Sequence, residues 1–61
     1  MRYKVQIRQN LEAIEIRTNF LKQAAEGSKQ ITTNDAIKHF TEIQSYLAKV
    51  NELIDLEREG N

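Results

Sequence analysis

The stretch AIKHFTEIQSYLAKVNELI, residues 36–54, decides the fold. Ala36, Phe40, Ile43, Leu47, Val50 and Ile54 recur at alternating steps of four and three. Those steps bring apolar side chains back to one side of a helix, so the stretch reads as an amphipathic helix with a heptad, coiled-coil-like seam. Four residues ahead of it, Thr32-Thr33-Asn34-Asp35 carries the marks of a helix start. Either threonine hydroxyl can accept a hydrogen bond from an early backbone N–H, and Thr32 with Asp35 has capping-box spacing. Asp35 also complements the positive end of the helix dipole.

Upstream, Ile7, Leu11, Ile14, Leu21 and Ala25 repeat the same steps, with Thr18 in the one place that lacks an apolar residue. This predicts a first helix over residues 3–26 and a second over 33–58. The chain has no proline, and its two glycines are Gly27 and Gly60, where helix stops belong. The six residues from Gly27 to Thr32 are a normal connection between antiparallel helices. Nothing after Glu59 can pack, so disorder is expected at Gly60 and Asn61.

The two seams match when the chain folds back at residues 30 and 31. Ala25 then meets Ala36, Leu21 meets Phe40, Thr18 meets Ile43, Ile14 meets Leu47, Leu11 meets Val50, and Ile7 meets Ile54. Lys4 and Glu57 form the next layer outward. Agreement between capping, turn and seam register points to an all-α, antiparallel two-helix hairpin occupying residues 1–61 as a single unit. Its expected core is Ile7, Leu11, Ile14, Leu21, Phe40, Ile43, Leu47, Val50 and Ile54. A charge at Leu47 is expected to unfold it.

Composition adds a second expectation. A chain of 61 residues buries a small share of its surface, and small scaffolds are usually supported by disulfides, a metal or oligomerisation. There is no cysteine and the only histidine is His39, which leaves oligomerisation. The second helix also widens its apolar face with His39, Tyr46 and Leu53, one flanking column seven residues apart. A face that wide suits more than two helices. Ile16 and Phe20, with Ala13 and Ala24 nearby, lie away from the seam of the first helix. Tyr46, Leu53, Ile16 and Phe20 are therefore the candidate partner contacts, and two hairpins are expected to pair as a four-helix bundle. The partner is a second copy, giving a homodimer, or another helical protein.

Charge patterning is consistent with antiparallel pairing. Residues 1–8 carry Arg2, Lys4 and Arg8 without an acid, while residues 52–59 carry Glu52, Asp55, Glu57 and Glu59 against Arg58 alone. Each cluster opposes its own helix dipole, and antiparallel folding sets the two side by side. Exposed ion pairs contribute only about 0–1 kcal/mol each, so the clusters set orientation more than stability.

Catalytic chemistry finds no purchase. A nucleophile needs a positioned base, and the sole imidazole sits at the edge of a core-facing stripe. No zinc-type ligand set, phosphate-cradling glycine loop or cofactor motif can be drawn. Scattered carboxylates on amphipathic helices read as solvated surface. No apolar run is long enough for a signal peptide or a membrane span, so a cytoplasmic location is expected. The functional expectation is a non-enzymatic structural, adaptor or regulatory subunit acting through protein–protein association.

One stretch supports a different class. Arg2-Tyr3-Lys4-Val5-Gln6-Ile7-Arg8 alternates polar and apolar residues at a period of two, which is a strand signal. A short strand followed by two helices resembles the order of elements in ribbon-helix-helix DNA-binding dimers. That resemblance implies paired strands entering a major groove, with Arg2, Lys4, Gln6 and Arg8 facing bases and phosphates. The formal net charge of zero gives no bulk attraction to a polyanion.

Overall fold

A computed structural model describes residues 1–59 of the chain. Two helices, α1 (Lys4–Ala25) and α2 (Thr33–Glu59), pack against each other as a hairpin. Residues 4–8 belong to α1, so the alternating segment is helical and the strand that a ribbon-helix-helix arrangement requires does not form. Alternation over so few residues is outweighed by the longer helical period that continues through Ile14 and Leu21. The fates of Gly60 and Asn61 lie outside the described residues.

Local chemistry sets the two inner ends. At the end of α1, Gly27 adopts φ +86°, the left-handed conformation that glycine enters without steric penalty. Its N–H donates to the Ala24 carbonyl at 3.1 Å, and the Ser28 N–H donates to the Gln23 carbonyl at 2.9 Å. Those two bonds make the Schellman arrangement, which satisfies carbonyls that the helix leaves open. At the start of α2, the Thr32 hydroxyl accepts from the Asp35 N–H at 3.1 Å, so Thr32 is the cap.

The outer end uses a different device. α1 begins after Tyr3 with neither a side-chain cap nor an acid in its first turn. Its missing acid comes from the other helix: the Tyr3 N–H donates to the Glu57 carboxylate. A carboxylate at the positive end of a helix dipole is stabilising, so Glu57 both caps α1 and ties the hairpin shut. The contact at this end is therefore between the Tyr3 backbone and Glu57, one residue from the Lys4–Glu57 layer expected from the seams, while Arg8 lies beside Glu12 of its own helix.

The same offset runs along the whole interface. Ile7, Ile43, Val50 and Leu53 are buried, and Tyr3 and Ile14 pack against the cluster of Ile7, Val50 and Leu53. Half-buried positions complete two columns: Tyr3 just ahead of α1 with Asn10, Ile14, Arg17, Leu21 and Ala24 on it, and Ala36, His39, Tyr46 and Glu57 on α2. Each column keeps steps of three and four. Positions 7, 14, 21, 36, 43 and 50 belong to the expected seams, but the alternate positions fall one residue earlier, at 10, 17 and 24 and at 39, 46 and 53. Leu11, Phe40, Leu47 and Ile54 are consequently outside the core in which the periodicity places them. Leu53 and Tyr46, expected at a partner contact, are inside the hairpin.

Candidate interaction face

The polar pairs across the interface explain the offset. Arg17 donates from Nε to Glu42 Oε2 at 2.8 Å and from an Nη to the Ala13 carbonyl at 3.1 Å. Its guanidinium carbon lies 4.8 Å from the centre of the Tyr46 ring. Phe20 and His39 meet with ring centroids 4.8 Å apart and planes tilted 45°, and the Lys29 ammonium sits 5.0 Å from the centre of the Phe20 ring. These contacts use Arg17, His39 and Tyr46 as seam residues because each has an apolar body to bury and a polar end to satisfy at the rim. His39 Nδ1 is the exception, buried with no hydrogen-bond partner among the described residues.

Glu42 and Glu57 feel the consequence. The hydrogen bond from Arg17 holds the Glu42 carboxyl below the ordinary value of 4.5, against a smaller opposing effect of burial. The Tyr3 backbone N–H does the same for Glu57, helped by the Arg2 N–H and the charged N-terminus. A carboxyl whose pKa is depressed by folding contributes stability that is fully present above its unfolded value and is lost as pH falls through its folded value. Acid is therefore expected to lower the melting temperature progressively below pH 4.5. Arg17→Met should flatten that slope, since Glu42 then loses the main cause of its shift. Melting curves collected from neutral pH down to about pH 3 test this, and an unchanged slope in the variant would remove the role given to the pair.

The two broad sides of the hairpin are unlike each other. In an antiparallel helix pair the pseudo-dyad runs perpendicular to the plane of the two axes. Equivalent flanks of α1 and α2 therefore open on the same side. Residues just before the shared seam positions, Ala13, Phe20 and Glu42, lie on one side, where Arg17 and His39 close over them. Residues four after those positions lie on the other: Leu11 and Thr18 from α1, and Phe40, Leu47 and Ile54 from α2. Among the described residues nothing packs over that second side. Leu11 is 46% exposed, Phe40 55%, Leu47 49% and Ile54 48%.

These residues interleave along the axis. The pairs Tyr3–Glu57, Arg17–Glu42 and Phe20–His39 fix the axial register. In that register Leu11 falls between Leu47 and Ile54, and Thr18 falls between Phe40 and Leu47. The exposed Ile37 continues the stripe toward the loop. The result is an apolar strip that runs from Ile37 to Ile54, about 25 Å at 1.5 Å per residue and so roughly half of the 46 Å length of the molecule.

The other candidate contacts fare differently. Phe20 is half-buried against His39 and Lys29, so it serves the hairpin itself, and Ile16 is left exposed without it. The pairing of Ile16 with Phe20 as an outer patch does not survive, because Phe20 turns toward α2. Arg2, Lys4, Gln6 and Arg8 are exposed, with Arg8 beside Glu12 at 3.7 Å. Arg2 precedes α1, and helical spacing spreads Lys4, Gln6 and Arg8 around the helix rather than along one face. Sequence reasoning missed Tyr3, Asn10 and Arg17 as seam positions. Their signal was present in the opposite charges of Arg17 and Glu42, which face each other only in the offset register.

Among the described residues no three of His, Asp or Glu come together as a metal-binding group, and no helix is long and apolar enough to cross a membrane. No protein-family model, no curated protein and no solved structure matches this chain.

Proposed function

We propose that the protein is a small non-enzymatic subunit that works by association, with Leu11, Phe40, Leu47 and Ile54 as its contact surface. One observation carries this reading: the hairpin packs His39 and Tyr46 inward and leaves Phe40 and Leu47 outward, against their hydrophobic ranking. A small rotation of α2 would bury the more apolar column. A chain whose functional state is an isolated hairpin has no reason to leave that column wet. The arrangement is favourable when another surface covers the strip.

Surface area supports the same reading. The chain exposes 4841 Å². A compact folded protein of 7.1 kDa exposes about 4100 Å², which leaves an excess of roughly 750 Å². Each partner in a standard interface contributes about 800 Å². The radius of gyration, 14.2 Å, likewise exceeds the roughly 10.5 Å of a compact domain of this length. A structural, adaptor or regulatory subunit completed by a partner fits both quantities.

Sedimentation equilibrium of the purified chain tests the proposal. A mass of twice 7.1 kDa or more supports association. A helical species that stays at 7.1 kDa at every concentration would count against self-association and shift the search to a heteromeric partner.

A further inference from the structure

We infer that the strip is covered by a second copy of this chain, the two hairpins stacking face to face with both loops at the same end of a four-helix bundle. The inference rests on the association reading above and adds to it the occupant and its orientation. The occupant follows from area and charge together. The excess surface is that of one half of a standard interface, and two copies with a formal net charge of zero meet without mutual repulsion. An oppositely charged partner would have no field to recognise.

Two stackings with twofold symmetry bring the strips together, and they differ in which helices touch. With loops at opposite ends, each α1 lies on the other α1 and each α2 on the other α2. If the dyad crosses at Leu47, which lies level with Ala13, Leu11 comes to rest opposite Glu15 of the second copy. The basic end of α1, at Lys4, then approaches Lys22 of the second copy. With loops at the same end, each α1 lies antiparallel on the other copy's α2. Leu11 and Thr18, the thinner part of the strip, are then covered by Phe40, Leu47 and Ile54. The basic segment Arg2, Lys4, Arg8 meets the acidic segment Glu52, Asp55, Glu57, Glu59 across the interface as well as within the hairpin. Complementary charge at an interface selects orientation, and here it selects the same-end stacking.

Flanking residues agree with this choice. Beyond the strip, α1 carries Arg8, Glu15 and Lys22, while α2 carries Ile37, Gln44 and Asn51. In the same-end stacking Arg8 faces Asn51 and Glu15 faces Gln44 of the second copy, while Lys22 comes level with Ile37 and extends past it to the solvent near the loops. Side-chain amides accept from a guanidinium and donate to a carboxylate, so Arg8 and Glu15 both meet polar partners.

The test places a nitroxide spin label on Ser28→Cys, an exposed loop position in a chain with no other cysteine. Pulsed dipolar spectroscopy then reads the distance between the loops of the two copies. Helix layers spaced 8–10 Å apart put same-end labels roughly 15–25 Å from each other. A distance near the 46 Å length of the hairpin would overturn the orientation while leaving association standing. A labelled protein of monomeric mass with no dipolar signal would overturn the second copy as occupant together with the orientation. Leu47→Lys should abolish the short distance. Ile16→Lys, away from the strip and more exposed than Leu47, should preserve it, and the reverse pattern would show that the contact lies on the other face.

Discussion

Replacing Leu53 with aspartate is expected to abolish the helical hairpin at every chain concentration. Leu53 is the most buried side chain of the described residues, 5% exposed, and packs with Ile7 and Val50. An aspartate there has no basic residue among its cluster neighbours, which are Ile7, Val50, Tyr3 and Ile14. Removing a buried leucine side chain alone costs about 2–5 kcal/mol, and an unpaired charge in its place adds a desolvation penalty. Small single domains are stable by only about 5–15 kcal/mol, and a four-residue core sits at the low end of that range. Far-ultraviolet circular dichroism should report loss of the helical signal, with no recovery as concentration rises. A helical Leu53→Asp chain would show that α1 and α2 do not meet through this residue.

Leu47→Asp should behave differently, although the seam read from the sequence alone places Leu47 in the core opposite Ile14. Its side chain is about half exposed in the hairpin, so the new carboxylate remains in water there and the intramolecular packing is untouched. In the assembly the charge is buried near the middle of the strip. A hot-spot residue at the centre of an interface costs about 2 kcal/mol on truncation, a loss of affinity of about thirtyfold, and burial of a new charge acts in the same direction. Because the hairpin gains stability from association, Leu47→Asp also lowers helicity at low concentration. That loss should be reversible: raising the chain concentration restores the helix in Leu47→Asp and fails to restore it in Leu53→Asp. Equal behaviour of the two variants would put both residues in one core and erase the distinction between seam and strip.

The difference between these residues measures what the sequence makes legible. The helices, the glycine-terminated loop, the threonine cap and half of each seam follow from local chemistry within a few residues. Ile7, Ile14, Leu21, Ala36, Ile43 and Val50 satisfy any seam that alternates steps of three and four. The other half is ambiguous, because the longer step can come before or after the shorter one. On α2 both choices are largely apolar: Phe40, Leu47 and Ile54, or His39, Tyr46 and Leu53. Hydrophobic ranking selects the first. The fold takes the second because Arg17 with Glu42, Phe20 with His39 and Tyr3 with Glu57 lock the register, and those pairs join residues far apart in sequence.

The candidate face was hidden by the same ambiguity. A wide apolar sector on α2 announces more than two helices, yet it does not say which column turns toward α1 and which remains for a partner. The alternating segment 2–8 presents a related problem of period. Tyr3 and Ile7 are four residues apart, compatible with a strand face and with one turn of a helix alike. Their joint packing on Val50 and Leu53 resolves it in favour of the helix.

The dependence of the melting temperature on chain concentration tests the central claim most directly. Association that completes an underburied hairpin ties folding to mass action, so the midpoint should climb steadily across a hundredfold rise in concentration, about as RT ln of the concentration ratio prescribes. In Leu47→Asp the same climb should begin only at higher concentration. A wild-type midpoint that stays constant over that range would mean the hairpin is stable by itself, and the open strip of Leu11, Phe40, Leu47 and Ile54 would then have no part in self-association.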